Sequence, residues 1–225
     1  MLTVVIVGAD GAGKSSVSAR LLEELPVDTR RFYLGANPDA RTHLLPLSRA
    51  VRWARARGGR APRTGGPPPV ERPREERPTG TLRRARRAVR AGARVTNQIA
   101  EETYQQTVIG WHHARGRVVV CDRHPAADHF AHDLAAGSDE RASRRFHGAF
   151  LRRCIPAPDL VLVLDAPPAV LHARKGEGTL EELAARRAEY LAYAGTAPRS
   201  IVIDATRPLD DVVHDARCAV EELAR

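Results

Sequence analysis

The chain has 225 residues, 43% of them hydrophobic, a net charge of +9, and three cysteines. That length and apolar content suffice for one large domain or two small ones with a buried core, which excludes a fibrous or wholly disordered chain. The longest apolar run near the start, Leu2 to Val7, is far shorter than the ~20 residues of a membrane span and follows no basic leader, so no membrane association and a cytoplasmic location are expected. Cys121, Cys154 and Cys218 are widely spaced without a CxxC pair, which predicts reduced thiols.

The positive charge belongs to one segment. Residues 41–94 hold 16 arginines against 3 glutamates, a net of +13, and the rest of the chain is −4. The bulk charge therefore does not define the core function.

Taken in order, five apolar runs read as strands: Leu2 to Val7, Arg31 to Leu34, Val118 to Cys121, Leu160 to Leu164 and Ser200 to Ile203. All but the mixed second run are expected to be buried on both faces. Helical spacing fills the intervals: from Lys14 to just before Pro26, Arg41 to Ala56, Leu82 to His113, Glu140 to Arg153, Leu180 to Ala194 and Leu209 to Leu223. In the long Leu82 to His113 helix, Val95, Ile99, Thr103, Val108 and Trp111 are expected to trace roughly one face. The alternation predicts an α/β fold with a parallel sheet covered by helices. In Arg57 to Gly80, 17 of 24 residues are Gly, Pro or Arg. Such a composition cannot offset its ordering entropy by burial and reads as a flexible basic insertion.

Residues 8 to 15 read GADGAGKS, matching GxxxxGK(S/T) between a strand and a helix. Gly8, Gly11 and Gly13 let backbone N–H groups converge on phosphate oxygens at the positive end of the next helix. Lys14 would reach the outer phosphates and Ser15 would offer a hydroxyl to Mg²⁺. Asp10, repelled by polyphosphate, should look outward, either to a hydroxyl of the acceptor or as a turn cap. Asp122 and Arg123 end the third strand, where open α/β sheets collect ligands. They would hold magnesium and neutralise phosphate charge, or form a salt-bridged strand end.

These residues resemble the thymidylate kinase-like branch of the nucleoside monophosphate kinases. GADGAGKSS is similar to that family's GxDGxGKST, CDRH to its DR(Y/H) motif, PDLVLVLDAPPAVLHARK to its PDLxxxLDxPPExxxxR segment, and VIDATRPLDDVV to its final strand and loop. The resemblance implies a P-loop NTPase three-layer sandwich with a five-stranded parallel sheet, in one domain of residues 1–225 with a lid at 174–187. It implies Mg²⁺-dependent transfer of the terminal phosphoryl of ATP to a nucleoside monophosphate or a related phosphorylated or hydroxyl acceptor. The phosphate loop would comprise Gly8, Ala9, Gly11, Ala12, Gly13, Lys14, Ser15 and Ser16. Ser15 and Asp122 would hold the metal, and Lys14, Asp122, Arg123 and Arg174 would form the catalytic set. Asp10 would contact an acceptor hydroxyl, Arg123 would bridge donor and acceptor phosphates, and Arg174, Ala205 and Thr206 would lie beside adenine. Because Gly11 stands where a loop arginine can occur, the lid would supply the cation, from Lys175, Arg186 or Arg187, unless these are exposed helix charges. Two departures stand out: FYLGANPDA replaces an FxREPGGT-like segment, and Ala100 followed by Glu101 falls where the family has an ADR-type arginine.

Weaker signals complete the reading. His112, His113, His129 and His132 with Cys121 follow no short zinc-ligand spacing. Trp53 and Trp111 could stack on an acceptor ring or simply pack. Asp128 and Asp133 could approach the acceptor or lie on a solvated face. An alternative function is ATP-switched nucleic-acid binding through residues 41–94, although the segment lacks interleaved aromatics, so nucleic acid is not the expected partner. The same segment could instead close over an acidic acceptor. Kinases of this type are often dimers, which leaves a homodimer open.

Overall fold

The computed structural model describes residues 2–34, 45, 48, 81–122, 124, 127 and 142–224. The expected helix from Arg41 to Ala56 with Trp53, apart from residues 45 and 48, the insertion Arg57 to Gly80, Arg123, Asp128, His129, His132 and Asp133 lie outside the described residues.

Five strands form a parallel sheet: β1 (Leu2–Val7), β2 (Thr29–Tyr33), β3 (Val118–Asp122), β4 (Leu160–Asp165) and β5 (Ser200–Asp204), in the order β2-β3-β1-β4-β5. The register sets Val4 between Val120 and Leu160, and Val5 between Cys121 and Val161. The helices are α1 (Lys14–Glu24), α2 (Thr81–His113), α3 (Ala142–Cys154), α4 (Pro168–Lys175), α5 (Leu180–Ala194) and α6 (Leu209–Ala224).

Alternation along the strands builds two cores. Val4, Ile6, Leu160 and Leu162 face α1 and α6 through Val17, Leu21, Val213 and Ala216. Val5, Val7, Cys121 and Val163 face α2 and α5 through Ile109, Tyr190 and Ala194. The result is a three-layer sandwich. The fifth run differs from its expected burial, since Ile201 and Val202 are 36% and 53% exposed. Its place at the sheet edge is the reason, and β2 at the other edge is mixed for the same reason.

Local signals set the helix ends. Leu25 turns to extended backbone before Pro26, closing α1, because a residue before proline disfavours helical geometry. Thr179 and Glu182 form a reciprocal capping box that starts α5. The short α4 was not foreseen, because its Pro167–Pro168 opening reads as loop. Pro168 in fact occupies the first helical turn, where its missing N–H costs nothing, and Gly176 caps the far end in left-handed geometry.

In α2 the expected apolar face is corrected. Thr103 is exposed, Trp111 is 48% exposed, and Val95, Ile99 and Val108 are only half-buried. The buried stripe is Glu101, Glu102, Gln105, Ile109 and His112. Buried polar groups call for partners, and Glu102 finds them in Gln98 and His147.

The strand order reverses at β1, whose neighbours β3 and β4 connect outward in opposite directions. That switch point opens a crevice at the carboxyl edge of the sheet. The loop after β1 lies in it.

Candidate active site

The Gly8–Ser15 loop is shaped by close backbone approach. Gly8 has φ +152°, and a Cβ there would stand 2.5 Å from the Leu164 carbonyl oxygen at the end of β4. Gly11 has φ +90°, and a Cβ there would stand 2.5 Å from the Leu171 carbonyl oxygen of α4. The loop is thus held between a strand end and α4, and only glycine satisfies both contacts. Gly11→Ala is expected to destabilise the fold by about 1–3 kcal/mol through this clash and the left-handed φ, measured by urea denaturation. An unchanged midpoint would show that α4 does not press on the loop.

The side chains of the loop converge on its mouth. Lys14 is buried, and its ammonium donates to the carbonyls of Gly8 and Ala9 at 2.9 Å each. Ala9 and Ala12 are buried, and the Ala12 N–H closes a turn on the Ala9 carbonyl. Ser16 is exposed at the first turn of α1. Asp10 is directed to cations, with Oδ1 3.9 Å from Lys14 Nζ and 4.0 Å from Lys175 Nζ at the end of α4.

Across the sheet, Asp122 is 1% exposed. Its Oδ2 accepts from the Ser15 hydroxyl at 3.1 Å and from an Arg31 Nη2–H at 3.0 Å. Its Oδ1 is buried with no hydrogen-bond partner among the described residues. Arg31, on the neighbouring strand β2, was not singled out in the sequence, because its spacing to Asp122 becomes a contact only through the β2–β3 register. Burial, reinforced by the Asp122 charge, pushes the adjacent Cys121 thiol up to about 12, so it stays protonated.

An unpartnered carboxylate oxygen beside a serine hydroxyl is a hard oxygen pair of the kind that suits Mg²⁺. Ser15 and Asp122 therefore fit the ion. A buried polar atom left unmatched is costly, and a cation would relieve it.

On the β4–β5 side, an Arg174 Nη1–H donates to the Ala205 carbonyl at 2.8 Å, and the Thr206 N–H and hydroxyl both donate to Asp204 Oδ1, at 2.9 and 2.7 Å. Arg174, Ala205 and Thr206 are thus neighbours at one end of the sheet. Arg187 pairs with both oxygens of Asp165 at 2.6 and 2.8 Å beside the loop, and Asp165 raises the guanidinium above its ordinary value. Arg186 is half-buried on α5. Lys175 also pairs with Glu177 at 2.8 Å.

Buried polar side chains gather on α2 and α3 and just after β3: Glu101, named above only as a departure from the family's pattern, with Glu102, Gln105, His124 and His147, which were not singled out in the sequence. His147 Nε2 of α3 lies 2.8 and 3.0 Å from the two oxygens of Glu102, which also accepts from Gln98. Burial holds His124 down to about 4. The unfolded chain therefore takes up a proton near pH 6.5 that the folded chain refuses until about pH 4. Stability present above pH 6.5 is lost as pH falls through that window, at up to about 1.4 kcal/mol per pH unit. His124→Gln is expected to flatten the pH 4–6.5 limb of melting temperature against pH, and an unaltered limb would contradict it.

Of the two uses open to Trp111, the structure shows packing against its neighbours, with the His112 ring edge-on at 4.7 Å. It stands at the other end of α2, under the Arg115 guanidinium at 3.5 Å. His112 there meets the Phe32 ring and Arg117, and His113 meets Thr3, at the amino edge of the sheet.

No family model matches the chain. Over 74 aligned residues it is 35% identical to the thymidylate kinase of Leifsonia xyli subsp. xyli (strain CTCB07), a match that covers 28% of this chain. The chain spans about a third, 35%, of that relative's length. A solved structure of deoxyadenosine kinase from M. mycoides, with products dCMP and a flexible dCDP bound, matches over 99% of this chain and 100% of its own at a TM-score of 0.53 and 13% identity. The fold, a five-stranded parallel sheet covered by helices, is similar to that of this kinase structure. In this fold the Gly8–Ser15 loop, Asp122 and α4 share the carboxyl edge of the sheet. No helix among the described residues is long and apolar enough to cross a membrane.

Proposed function

We propose that this chain transfers the γ-phosphoryl group of ATP to a small acceptor, in the manner of the nucleoside and nucleotide kinases it resembles, with Mg²⁺ as cofactor. The observation that carries the reading is the joining of Ser15 to a buried, half-satisfied Asp122 directly beneath the Lys14 loop. A nucleoside monophosphate, as the partial likeness to a thymidylate kinase suggests, or a related phosphorylated or hydroxyl compound would be the acceptor.

Each residue has a role in that reading. The loop N–H groups and the positive end of α1 bind the triphosphate. Lys14 exchanges the carbonyls of Gly8 and Ala9 for phosphate oxygens, and Asp10 balances its charge until then. Ser15 and Asp122 would hold Mg²⁺, which when bound neutralises charge on the phosphates. Arg174 and the Ala205–Thr206 loop flank the adenine. Of the lid candidates Lys175 is favoured, because it meets the loop through Asp10, whereas Arg187 is committed to Asp165. Arg123 would neutralise phosphate charge. Catalysis is then positioning and charge stabilisation, with no covalent intermediate.

The experiment is an ATP-consumption screen with magnesium against nucleoside monophosphates, nucleosides and sugar phosphates. ADP release in step with a phosphorylated product supports the proposal. ATP binding without transfer to any acceptor speaks against it.

A further inference from the structure

We propose that Glu101 binds the phosphoryl acceptor, and that the acceptor is an unphosphorylated hydroxyl compound presenting hydrogen-bond donors, O–H or N–H, to this carboxylate. The inference rests on the phosphotransferase reading and narrows its acceptor.

Two adjacent glutamates on α2 are treated differently. Both are 2% exposed. Glu102 is matched by His147 and Gln98. Glu101 accepts the Leu45 N–H on Oε2 at 3.0 Å, while its Oε1 is buried with no hydrogen-bond partner among the described residues. No cation pairs with Glu101 among the described residues. An ionised carboxylate in that setting is costly unless a donor completes it.

Its place in the fold points to the donor's source. α2 runs against the strands: His113 meets Thr3 at the start of β1, and Ile109 packs in one core with Phe32 and Cys121. Glu101 lies eight residues, or about 12 Å, further along the helix from Ile109. It therefore stands over the carboxyl edge of β2 and β3, on the side of Asp122 and the phosphate loop. Among the described residues the neighbouring carboxylates have partners, Asp122 in Ser15 and Arg31 and Glu102 in Gln98 and His147. The unmatched oxygen is left for a ligand.

Charge chooses the ligand class. A hydroxyl or ammonium gives a strong charge-assisted bond to a carboxylate. A phosphate ester brought against the same oxygen is repelled, and the low dielectric sharpens the repulsion. In the transfer itself, the acceptor's hydroxyl oxygen bonds to the γ-phosphorus as the bond to the β,γ-bridging oxygen breaks. The electron pair stays on ADP and the hydroxyl proton goes to solvent.

The test measures kcat and KM of the full chain with Mg·ATP for nucleosides, free sugars and amino sugars, each against its phosphate ester. Expected is a kcat/KM at least tenfold higher for an unphosphorylated acceptor than for its ester. Glu101→Gln should raise that acceptor's KM tenfold or more and leave the KM for ATP within twofold, a split that a structural role alone would not produce. A larger loss for amino sugars than for their hydroxyl counterparts assigns the donor as ammonium, and equal losses assign it as hydroxyl. A phosphate ester as the better substrate, or an unmoved acceptor KM in Glu101→Gln, overturns the proposal and leaves phosphotransfer standing. ADP release with none of the acceptors counts against phosphotransfer itself and this inference with it. Should Glu101→Gln fail to fold, the wild-type comparison decides alone.

Discussion

Lys14→Ala is expected to lower the rate of phosphoryl transfer by about 10²–10³-fold, the usual cost of losing one preorganised charge aimed at the reacting group. The ammonium sits on two loop carbonyls at 2.9 Å, so it is already within the cradle before nucleotide arrives. Its removal deletes the hydrogen bonds to the Gly8 and Ala9 carbonyls and takes one cation from beside Asp10. The stability cost should be only about 1–2 kcal/mol, since each such bond contributes little net. Steady-state kinetics beside a melting curve separate the two effects. A large fall in melting temperature with an equal loss of activity would mean that Lys14 holds the loop together and does not act on phosphate.

Asp122→Asn carries the second large effect. The substitution keeps the shape and an acceptor oxygen for the Ser15 hydroxyl, but removes the charge. It is expected to raise the Mg²⁺ concentration for half-maximal rate by roughly 10–100-fold, the range seen when a carboxylate supporting a metal is altered. The new amide also puts N–H groups near the Arg31 guanidinium, so about 1–3 kcal/mol of stability should go with it. Activity measured against Mg²⁺ concentration gives the answer. An unshifted Mg²⁺ curve would reduce Asp122 to an ion-pair partner of Arg31.

The contrast between these two residues and Glu101 shows what a sequence can reveal. The loop that carries Lys14 and Ser15 is legible because a glycine-rich turn between a strand and a helix is written in local spacing. The strands are legible because sheet interiors demand unbroken Val, Ile and Leu, and β5 misled only because an edge strand can carry the same residues. The Pro-rich α4 and the Arg31–Asp122 and Arg187–Asp165 pairs depend on which distant segments meet. The polar face of α2 was hidden for the same reason: Glu102 is buried because His147, 45 residues away, reaches it. A helix read by its apolar residues alone turns the wrong way when its burial is arranged by such partners. Charge patterning left one usable trace, two consecutive glutamates in the middle of a helix with no basic residue one turn on at 104–106.

The central claim is that the Gly8–Ser15 loop grips the phosphates of ATP together with magnesium. Isothermal titration of the full chain with a non-hydrolysable ATP analogue, with and without Mg²⁺, addresses it most directly. The account predicts one saturable site per chain, tighter with Mg²⁺ and weakened at least tenfold in Lys14→Ala. Binding of equal strength in the wild type and Lys14→Ala, or no heat of binding with Mg²⁺ present, would contradict it.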